Sequence, residues 1–352
     1  MHLTKSILIS LQVKGSNSSK NSRLFKLMSY FLGLMSGTSR DSLDICCVSF
    51  DPKFKVISND TLEFSESYKS TKNKTYIDNE ITLKSIEAVN NLIKRNRIKH
   101  EDIECIAFPG QTLLHTKNKS FQAGNAHKIA KETKLTVRYD FRNQDISQGG
   151  LGAPLVPSFH NYLFGEINKS KMIVNIGGIC NATHLKGNHI QEASDIGPGN
   201  CLMDFYCVKN GLGNFDLNGR LASQGRISKE LFRALRSTIQ FELYPRADDI
   251  ANYLIKLKKY EKIIDKTKTE DVLRTLIEIT VLGIEEFYRS CGEPEEIIVH
   301  GGGIYNKFLM NLLSVKFGNT IKTSANYLDP KFVEAAAFAY LAYLKKGVLI
   351  TP

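Results

Sequence analysis

Three glycine-rich segments carry the residue types that chemistry on a phosphate group requires. They are residues 37–44 (GTSRDSLD), 195–200 (DIGPGN) and 301–303 (GGG). Glycine lets backbone N–H groups approach an anion closely, and Thr and Ser hydroxyls add further donors. Acidic side chains repel phosphate unless a divalent cation lies between them, as Mg²⁺ does in phosphoryl-transfer sites. The acidic Ser/Thr segment therefore favours a Mg-nucleotide over a free anion.

None of these segments is diagnostic alone, because a glycine-rich turn more often simply connects two elements. The sequence contains neither G-x-x-x-x-G-K-[ST] nor G-x-G-x-x-G, so it has neither a P-loop nor a Rossmann fingerprint. The order of the segments is more informative. An acidic hairpin in the first half, an acid-led glycine turn opening the second half and a glycine turn before a late helix are typical of two-domain sugar kinases.

Apolar patterns predict the elements that must position these segments. Residues 30–35 and 43–50 predict a hairpin around the first segment, followed by a polar stretch. Helices are predicted from apolar spacing or composition at residues 86–93, 125–134, 201–208, 304–313 and 332–344, and after a capping box at residues 267–270. Short apolar runs predict strands at residues 103–108, 136–139, 171–175, 180–185 and 296–299. Each half thus opens with paired strands and closes with alternating helices and strands.

The length of 352 residues exceeds what one hydrophobic core usually organises, and predicts two domains with a cleft between them. The segment GGLGAP at residues 149–154 interrupts all periodicity. We therefore expect an N-terminal domain over residues 28–148 and a C-terminal domain over residues 149–352, with the last helix able to pack back on the first domain.

Composition limits the function classes. With 42% hydrophobic and 24% charged residues, the chain is neither wholly disordered nor a rod. The net charge is +11, but no stretch interleaves aromatic residues with clustered Arg, so we predict no nucleic-acid partner. Residues 1–27 hold five basic residues, six serines and no acid. We expect this leader to be disordered or outside the fold, although its composition resembles a transit peptide.

Cysteine usage and hydropathy predict the compartment. The seven cysteines include no C-x-x-C pair and fit neither a disulfide framework nor a structural zinc site. A reducing cytoplasm is the predicted location. Residues 7–13 form the only apolar stretch near the N-terminus and are too few to span a bilayer, so we predict no membrane association.

Seven motifs occur in order between about residue 30 and residue 345. They are GLMSGTSRD at 33–41, GQT at 110–112, DFR at 140–142, GGLGAPLVP at 149–157, NIGG at 175–178, DIGPGN at 195–200 and GGGIYN at 301–306. Together they resemble the 1,6-anhydro-N-acetylmuramic acid kinase family. The first and fourth motifs are long enough to be specific.

The resemblance implies an α/β fold, namely the two-domain actin-like ATPase (ribonuclease H-like) fold with an active site in the interdomain cleft. It implies that ATP and water convert 1,6-anhydro-N-acetylmuramic acid to N-acetylmuramic acid 6-phosphate and ADP, during peptidoglycan recycling in the cytoplasm. The cofactors would be ATP and Mg²⁺, and the partner a small anionic amino sugar. A homodimer is compatible with the resemblance, although no apolar stripe specifies an interface.

The resemblance also assigns site residues. Asp195 becomes the base that deprotonates the attacking water, whereas by itself an Asp at this position would more simply cap a helix or a turn. Mg²⁺ would bind near Asp41 and Asp44, through ATP, and Gln111, Arg142 and Glu334 would contact the sugar. The predicted ATP and Mg²⁺ residues are Gly37, Thr38, Ser39, Arg40, Asp41, Ser42, Leu43, Asp44, Gly197, Gly199, Gly301, Gly302, Gly303 and Asn306.

Some positions depart from the family pattern. Pro109 replaces a His, Ser42 a Gly, and Gln144 an Arg that would suit the lactyl carboxylate of the sugar. Residues 245–251 read PRADDIA where the family has P-K-S-x-G-R-E. Arg246 and Arg138 are candidates to compensate, and Arg142 could instead form a surface ion pair with Asp145. The departures keep two alternatives open: a catalytically impaired nucleotide-binding relative acting as a sensor, and a kinase for another amino or anhydro sugar.

Overall fold

The computed structural model describes residues 29–37, 40–116, 118–241 and 243–352. The basic leader (residues 1–27), Thr38 and Ser39 lie outside the described residues. The strands are β1 (Tyr30–Ser36), β2 (Ser42–Ser49), β3 (Lys55–Glu63), β4 (Ile103–Ala107), β5 (Gln111–His115), β6 (Ser120–Ala123), β7 (Val137–Tyr139), β8 (Ser170–Ile176), β9 (Ile179–Lys186), β10 (His189–Pro198), β11 (Glu296–His300), β12 (Ile321–Thr323) and β13 (Val348–Ile350).

The described helices complete the mixed α/β architecture. They are α1 (Glu66–Ser70), α2 (Lys74–Asn96), α3 (Ala126–Thr133), α4 (Phe141–Ser147), α5 (Pro157–Phe164), α6 (Cys201–Lys209), α7 (Lys229–Thr238), α8 (Ile250–Lys258), α9 (Glu261–Ile264), α10 (Thr269–Ser290), α11 (Lys307–Phe317) and α12 (Val333–Tyr343). None of them is long and apolar enough to cross a membrane.

Two sheets of the described chain repeat one topology. The first sheet has the order β13-β7-β4-β1-β2-β3 and the second the order β10-β9-β8-β11-β12. In each, three antiparallel strands are followed by two parallel ones, so that the first five strands run 3-2-1-4-5 in chain order. β5 and β6 form a separate hairpin. The repeat is the predicted pattern of paired strands followed by alternating helices and strands.

The last helix lies on the first sheet. Val333 and the alanines of α12 are buried with Phe31 of β1 and Ala107 of β4. A side chain at Gly33 would place its Cβ 1.8 Å from the Ala335 carbonyl oxygen, so only glycine permits this close approach. β13 then pairs with β7 at the sheet edge. We propose that the two domains meet at residue 149. The last elements, α12 and β13, return to the first sheet.

Three local predictions were wrong. Residues 195–198 do not form a turn but end β10, and residues 55–63 of the supposed polar stretch form β3. The capping box at residues 267–270 is not formed: α10 has Lys268 at its N-cap without a side-chain hydrogen bond, and the Thr267 hydroxyl donates to the Ile263 carbonyl oxygen of α9. The late helix predicted over 304–313 is α11, and residues 302–305 form a 3₁₀ turn before it.

Candidate active site

Asp195 is the most buried carboxylate of the predicted site. It lies near the end of β10, is 7% exposed, and accepts a hydrogen bond at Oδ2 from the backbone N–H of Asp248 at 2.7 Å. Burial raises its pKa to about 7; the hydrogen bond from Asp248 and the charges of Arg142 and Arg246 oppose the increase. A carboxylate with such a pKa can both take and release a proton near neutral pH.

Arg142 supplies positive charge next to Asp195. It lies in α4, where Nη1 donates to the Gly152 carbonyl oxygen at 2.8 Å, while the buried Nε has no partner among the described residues. Its guanidinium interacts electrostatically with Asp195, Glu334 and Asp145. No ion pair joins Arg142 to Asp145 within the described part of the chain, and its guanidinium is not at the surface. The arginine therefore has one buried donor without a partner among the described residues, and its charge acts on three carboxylates.

Glu334 lies in the first turn of α12 and faces Arg142. Burial raises the pKa of this carboxyl, and Arg142 and a side-chain hydrogen bond from Asn175 oppose the increase. Asn175 is itself buried, near the end of β8, so its amide orients Glu334 from the second sheet. The structure thus places Asp195 and Glu334 near Arg142, and the roles predicted for these residues stay predictions.

The predicted nucleotide hairpin lies at the β1–β2 turn. Gly37 accepts a hydrogen bond from the Arg40 N–H, and the Arg40 guanidinium donates to the Thr71 carbonyl oxygen and lies over the Tyr68 ring. Ser42 begins β2, with its hydroxyl 3.5 Å from Asp44 Oδ1. Leu43 is a core side chain, 1% exposed, so any contact with a nucleotide would come from its backbone.

The two predicted Mg²⁺ carboxylates differ in their surroundings. Asp41 is exposed. Asp44 accepts from the Thr61 hydroxyl at 2.7 Å and lies 3.6 Å from Lys331 Nζ, so it already has a cationic partner. Burial raises the pKa of Asp44, and Thr61 and Lys331 oppose this increase.

Asp204, which the sequence analysis did not identify, faces Asp41 from the first turn of α6. Burial, and then the negative charge of Asp41, raise its pKa to about 7. A buried carboxylate whose ionisation is opposed by a neighbouring carboxylate fits a divalent cation held by one or two protein oxygens and phosphate oxygens. The donor set thus fits Mg²⁺ better at Asp41 and Asp204 than at Asp44. No cluster of three or more His, Cys, Asp or Glu that could hold a metal exists among the described residues.

The remaining predicted glycines lie at strand ends of the second sheet. Gly301 follows β11 with φ +86°, and a Cβ there would lie 2.2 Å from Asn175 Oδ1, whereas Gly302 has open space around it. Gly197 is the last residue but one of β10, and a Cβ at Gly199 would lie 2.2 Å from the Gly177 carbonyl oxygen. Asn306 caps α11 by accepting from the Leu309 N–H at 3.0 Å. Nucleotide binding by these residues stays a prediction.

Gln111 is placed under the hairpin. Its Oε1 accepts from the Ser36 hydroxyl at 2.6 Å, its Nε2 donates to the Gly37 carbonyl oxygen at 3.2 Å, and it is 1% exposed. The side chain therefore braces the nucleotide hairpin in this structure. Its predicted contact with the sugar stays a prediction.

Comparison with known proteins identifies the family. The family model described as "Anhydro-N-acetylmuramic acid kinase" matches residues 29–349. A protein of that name from Gamma-proteobacterium EBAC31A08 is 34% identical over 332 residues, covering 89% of this chain and 91% of its own length. Another, from Haemophilus influenzae, is 33% identical, covering 90% of this chain and 91% of its own length. The chain belongs to the anhydro-N-acetylmuramic acid kinase family.

Membership in the anhydro-N-acetylmuramic acid kinase family confirms the prediction of a kinase and does not favour the sensor or another sugar as alternatives. The fold prediction is confirmed as well. The (R)-2-hydroxyglutaryl-CoA dehydratase component A of Acidaminococcus fermentans superposes with a TM-score of 0.50 at 11% identity, covering 90% of this chain and 99% of that chain. This likeness concerns the fold alone, the two-sheet α/β architecture of actin-like ATPases.

The structure shows what the residues that depart from the anhydro-N-acetylmuramic acid kinase pattern contact. Pro109 lines a cavity of about 200 Å³ together with Asp140 and Asn143. Gln144 accepts from the Gly347 N–H at 2.6 Å, so it ties α4 to the segment before β13. Arg138 donates to the carbonyl oxygens of residues 345–347, away from Asp195. Of the two candidate compensating arginines, the structure therefore places Arg246 beside Asp195.

Proposed function

We propose that this kinase uses ATP and water to convert 1,6-anhydro-N-acetylmuramic acid to N-acetylmuramic acid 6-phosphate, with Asp195 as general base. One observation carries the proposal: a buried carboxylate with a pKa of about 7 lies near Arg142, a buried arginine whose Nε has no partner among the described residues and which also interacts with the carboxyl of Glu334. A base poised near neutral pH, next to a cation and a hydrogen-bonding carboxyl, suits the activation of water beside an anionic sugar.

The proposed reaction balances in atoms and charge. Asp195 takes a proton from water as the water oxygen bonds to the anomeric carbon. The bond between that carbon and the bridging oxygen breaks, and the bridging oxygen, now on carbon six, attacks the γ-phosphorus of ATP. The bond between the γ-phosphorus and the oxygen that bridges to the β-phosphate breaks, ADP leaves with that oxygen, and Asp195 releases its proton to solvent. Alignment of water, sugar and phosphate in one cleft converts an encounter of three molecules into a reaction within one complex.

Different residues of the chain would position the sugar, the phosphates and the adenosine. Arg142 would pair with the sugar carboxylate through its free Nε, and Glu334, oriented by Asn175, would accept a sugar hydroxyl proton in a hydrogen bond. The hairpin braced by Gln111 would carry the phosphates, and the glycines at 301–303 would face the adenosine. When bound, Mg²⁺ would offset the charge of the phosphates, and Asp41 and Asp204 would hold it.

The family match supports ATP use, and the seven free cysteines support a reducing compartment, so we place the reaction in the cytoplasm. Homodimerisation and a place in peptidoglycan recycling stay predictions from the family resemblance.

The test is turnover by the purified protein with ATP and Mg²⁺, with and without 1,6-anhydro-N-acetylmuramic acid. We expect ADP and N-acetylmuramic acid 6-phosphate in equal amounts, both dependent on the sugar. ADP without sugar phosphate would contradict the proposal. Tight ATP binding without turnover would favour the sensor, and faster turnover of an anhydro sugar that lacks the lactyl group would favour a different substrate.

A further inference from the structure

Residues 246–248, between α7 and α8, form hydrogen bonds with Ser194 and Asp195 near the end of β10. The Asp195 N–H donates to the Arg246 carbonyl oxygen at 3.0 Å, and the Arg246 N–H donates to the Ser194 hydroxyl at 2.9 Å. The Asp248 N–H donates to Asp195 Oδ2 at 2.7 Å. The segment therefore runs beside the end of β10 and fixes both the backbone and one carboxylate oxygen of Asp195.

The carboxylate of Asp248 is itself held from two sides. Its Oδ2 accepts from Arg246 Nε at 3.0 Å and from the hydroxyl of Tyr253, in α8. The Arg246 and Asp248 side chains are only 15% and 18% exposed, and Tyr253 is buried. The Arg246 guanidinium also lies 5.5 Å from the centre of the Tyr244 ring. Asp248 thus pairs with Arg246, whose positive charge also acts on Asp195.

The charges facing Asp195 come from several elements. Asp248 and Arg246 belong to the segment described above, Arg142 to α4, Tyr253 to α8 and Cys180 to β9. Besides burial, the negative charge of Asp248 raises the pKa of Asp195, whereas Arg142 and Arg246 lower it. The balance between Asp248 and Arg246 therefore contributes, beside burial and Arg142, to how basic Asp195 is.

We propose that Asp248 is a positioning residue for the reaction: its amide orients Asp195, and its carboxylate engages Arg246 so that this guanidinium does not neutralise the base. The inference rests on the proposed function of Asp195.

The test compares the pH dependence of kcat/KM in Asp248→Asn, Arg246→Gln and the wild type. Asp248→Asn keeps the amide and the side-chain shape but removes the charge that opposes Arg246. The acidic limb of its pH profile for kcat/KM should shift to lower pH by about one unit. Its plateau kcat should fall several-fold, because a weaker base removes a proton less readily. Arg246→Gln removes the positive charge and should shift the limb to higher pH.

Asp249→Asn is the matched control. Asp249 is exposed and caps α8 by accepting from the Ala251 N–H at 2.9 Å, a role that Asn fills equally well. Its acidic limb should coincide with that of the wild type. A purely structural role for Asp248 would lower activity without opposite shifts in the two variants, and limbs that coincide in all four proteins would overturn the inference.

A second readout separates this inference from the proposed function. The carboxyl carbon of Asp195 can be titrated by ¹³C NMR in protein labelled at aspartate, and Asp195→Asn identifies its signal. A lower titration midpoint of Asp195 in Asp248→Asn supports the inference even if no sugar is phosphorylated. Absence of sugar phosphorylation would refute only the proposed function. An unchanged midpoint in a protein that does phosphorylate the sugar would refute the inference alone.

Discussion

Asp195 and Asp41, the two carboxylates on which the proposed reaction most depends, are held in opposite ways. Asp195 is 7% exposed, with its backbone bonded to Arg246 and one side-chain oxygen bonded to the Asp248 amide. Asp41 is exposed. Among the described residues, its backbone carbonyl accepts a hydrogen bond from the Phe64 N–H, and its side chain has no hydrogen bond. One carboxylate is positioned by the protein, and the other faces solvent and Asp204.

The difference agrees with the role that we propose for each carboxylate. A general base has to be aimed and partly desolvated before the substrate arrives, because its proton affinity depends on the surrounding protein. A carboxylate that binds a hydrated cation together with nucleotide phosphates is completed by those ligands. Substitutions at the buried carboxylate should therefore change the chemical step, and those at the exposed carboxylate should change ligand affinity.

The largest effect is expected for Asp195→Asn. The amide cannot take a proton from water, so kcat should fall by about 10²–10⁴-fold, the usual contribution of a general base. ATP affinity, measured by calorimetry, should remain within a factor of about two. The midpoint of thermal unfolding should not fall, because Asn replaces a carboxylate whose ionised form is destabilised by burial. Turnover close to that of the wild type would contradict the assignment.

An intermediate effect is expected for Arg142→Gln. Loss of the charged donor should raise KM for the sugar by about 10–100-fold, the value of one charge-assisted hydrogen bond, and leave KM for ATP nearly unchanged. Arg138→Gln is the control, because its guanidinium contacts the carbonyls of residues 345–347 instead of the site. Equal behaviour of the two variants would place Arg142 outside the sugar site.

The smallest effect is expected for Asp41→Asn. Removing one cation ligand should raise the Mg²⁺ concentration needed for half-maximal activity by about five- to tenfold, while kcat at saturating Mg²⁺ falls less. Glu63→Gln removes a charge from the exposed residue that pairs with Ser42 on the neighbouring strand, and should leave the Mg²⁺ requirement unchanged. If kcat of Asp41→Asn fell as much as that of Asp195→Asn, the proposed difference between the two carboxylates would be contradicted.

Much of the fold was predictable because its strands are apolar runs with clear ends. β8 is buried along nearly its whole length, and the glycine turn at residues 177–178 follows it. β3 and the first half of β10 were missed because they are polar, lie at sheet edges and have exposed or half-exposed side chains. Hydropathy alone does not distinguish such strands from loops.

The candidate site was predictable only where residues belong to local motifs. Gly37, Asp195 and Gly301 could be identified within their own segments. The approach of Asp204 to Asp41, of Lys331 to Asp44, and of Asp248 to Asp195 joins residues far apart in the chain. One signal for Asp204 was available in the sequence, an acid one helical turn after the 195–200 segment, but its partner depends on tertiary structure.

The pH dependence of kcat/KM for the sugar, at saturating Mg²⁺ and ATP, tests most directly whether the buried carboxylate is the base. Burial raises the pKa of Asp195 to about 7, and only the ionised form can accept a proton. Activity should therefore be constant above this pH and fall about tenfold for each pH unit below it. A profile that stays flat down to about pH 5 would contradict the account.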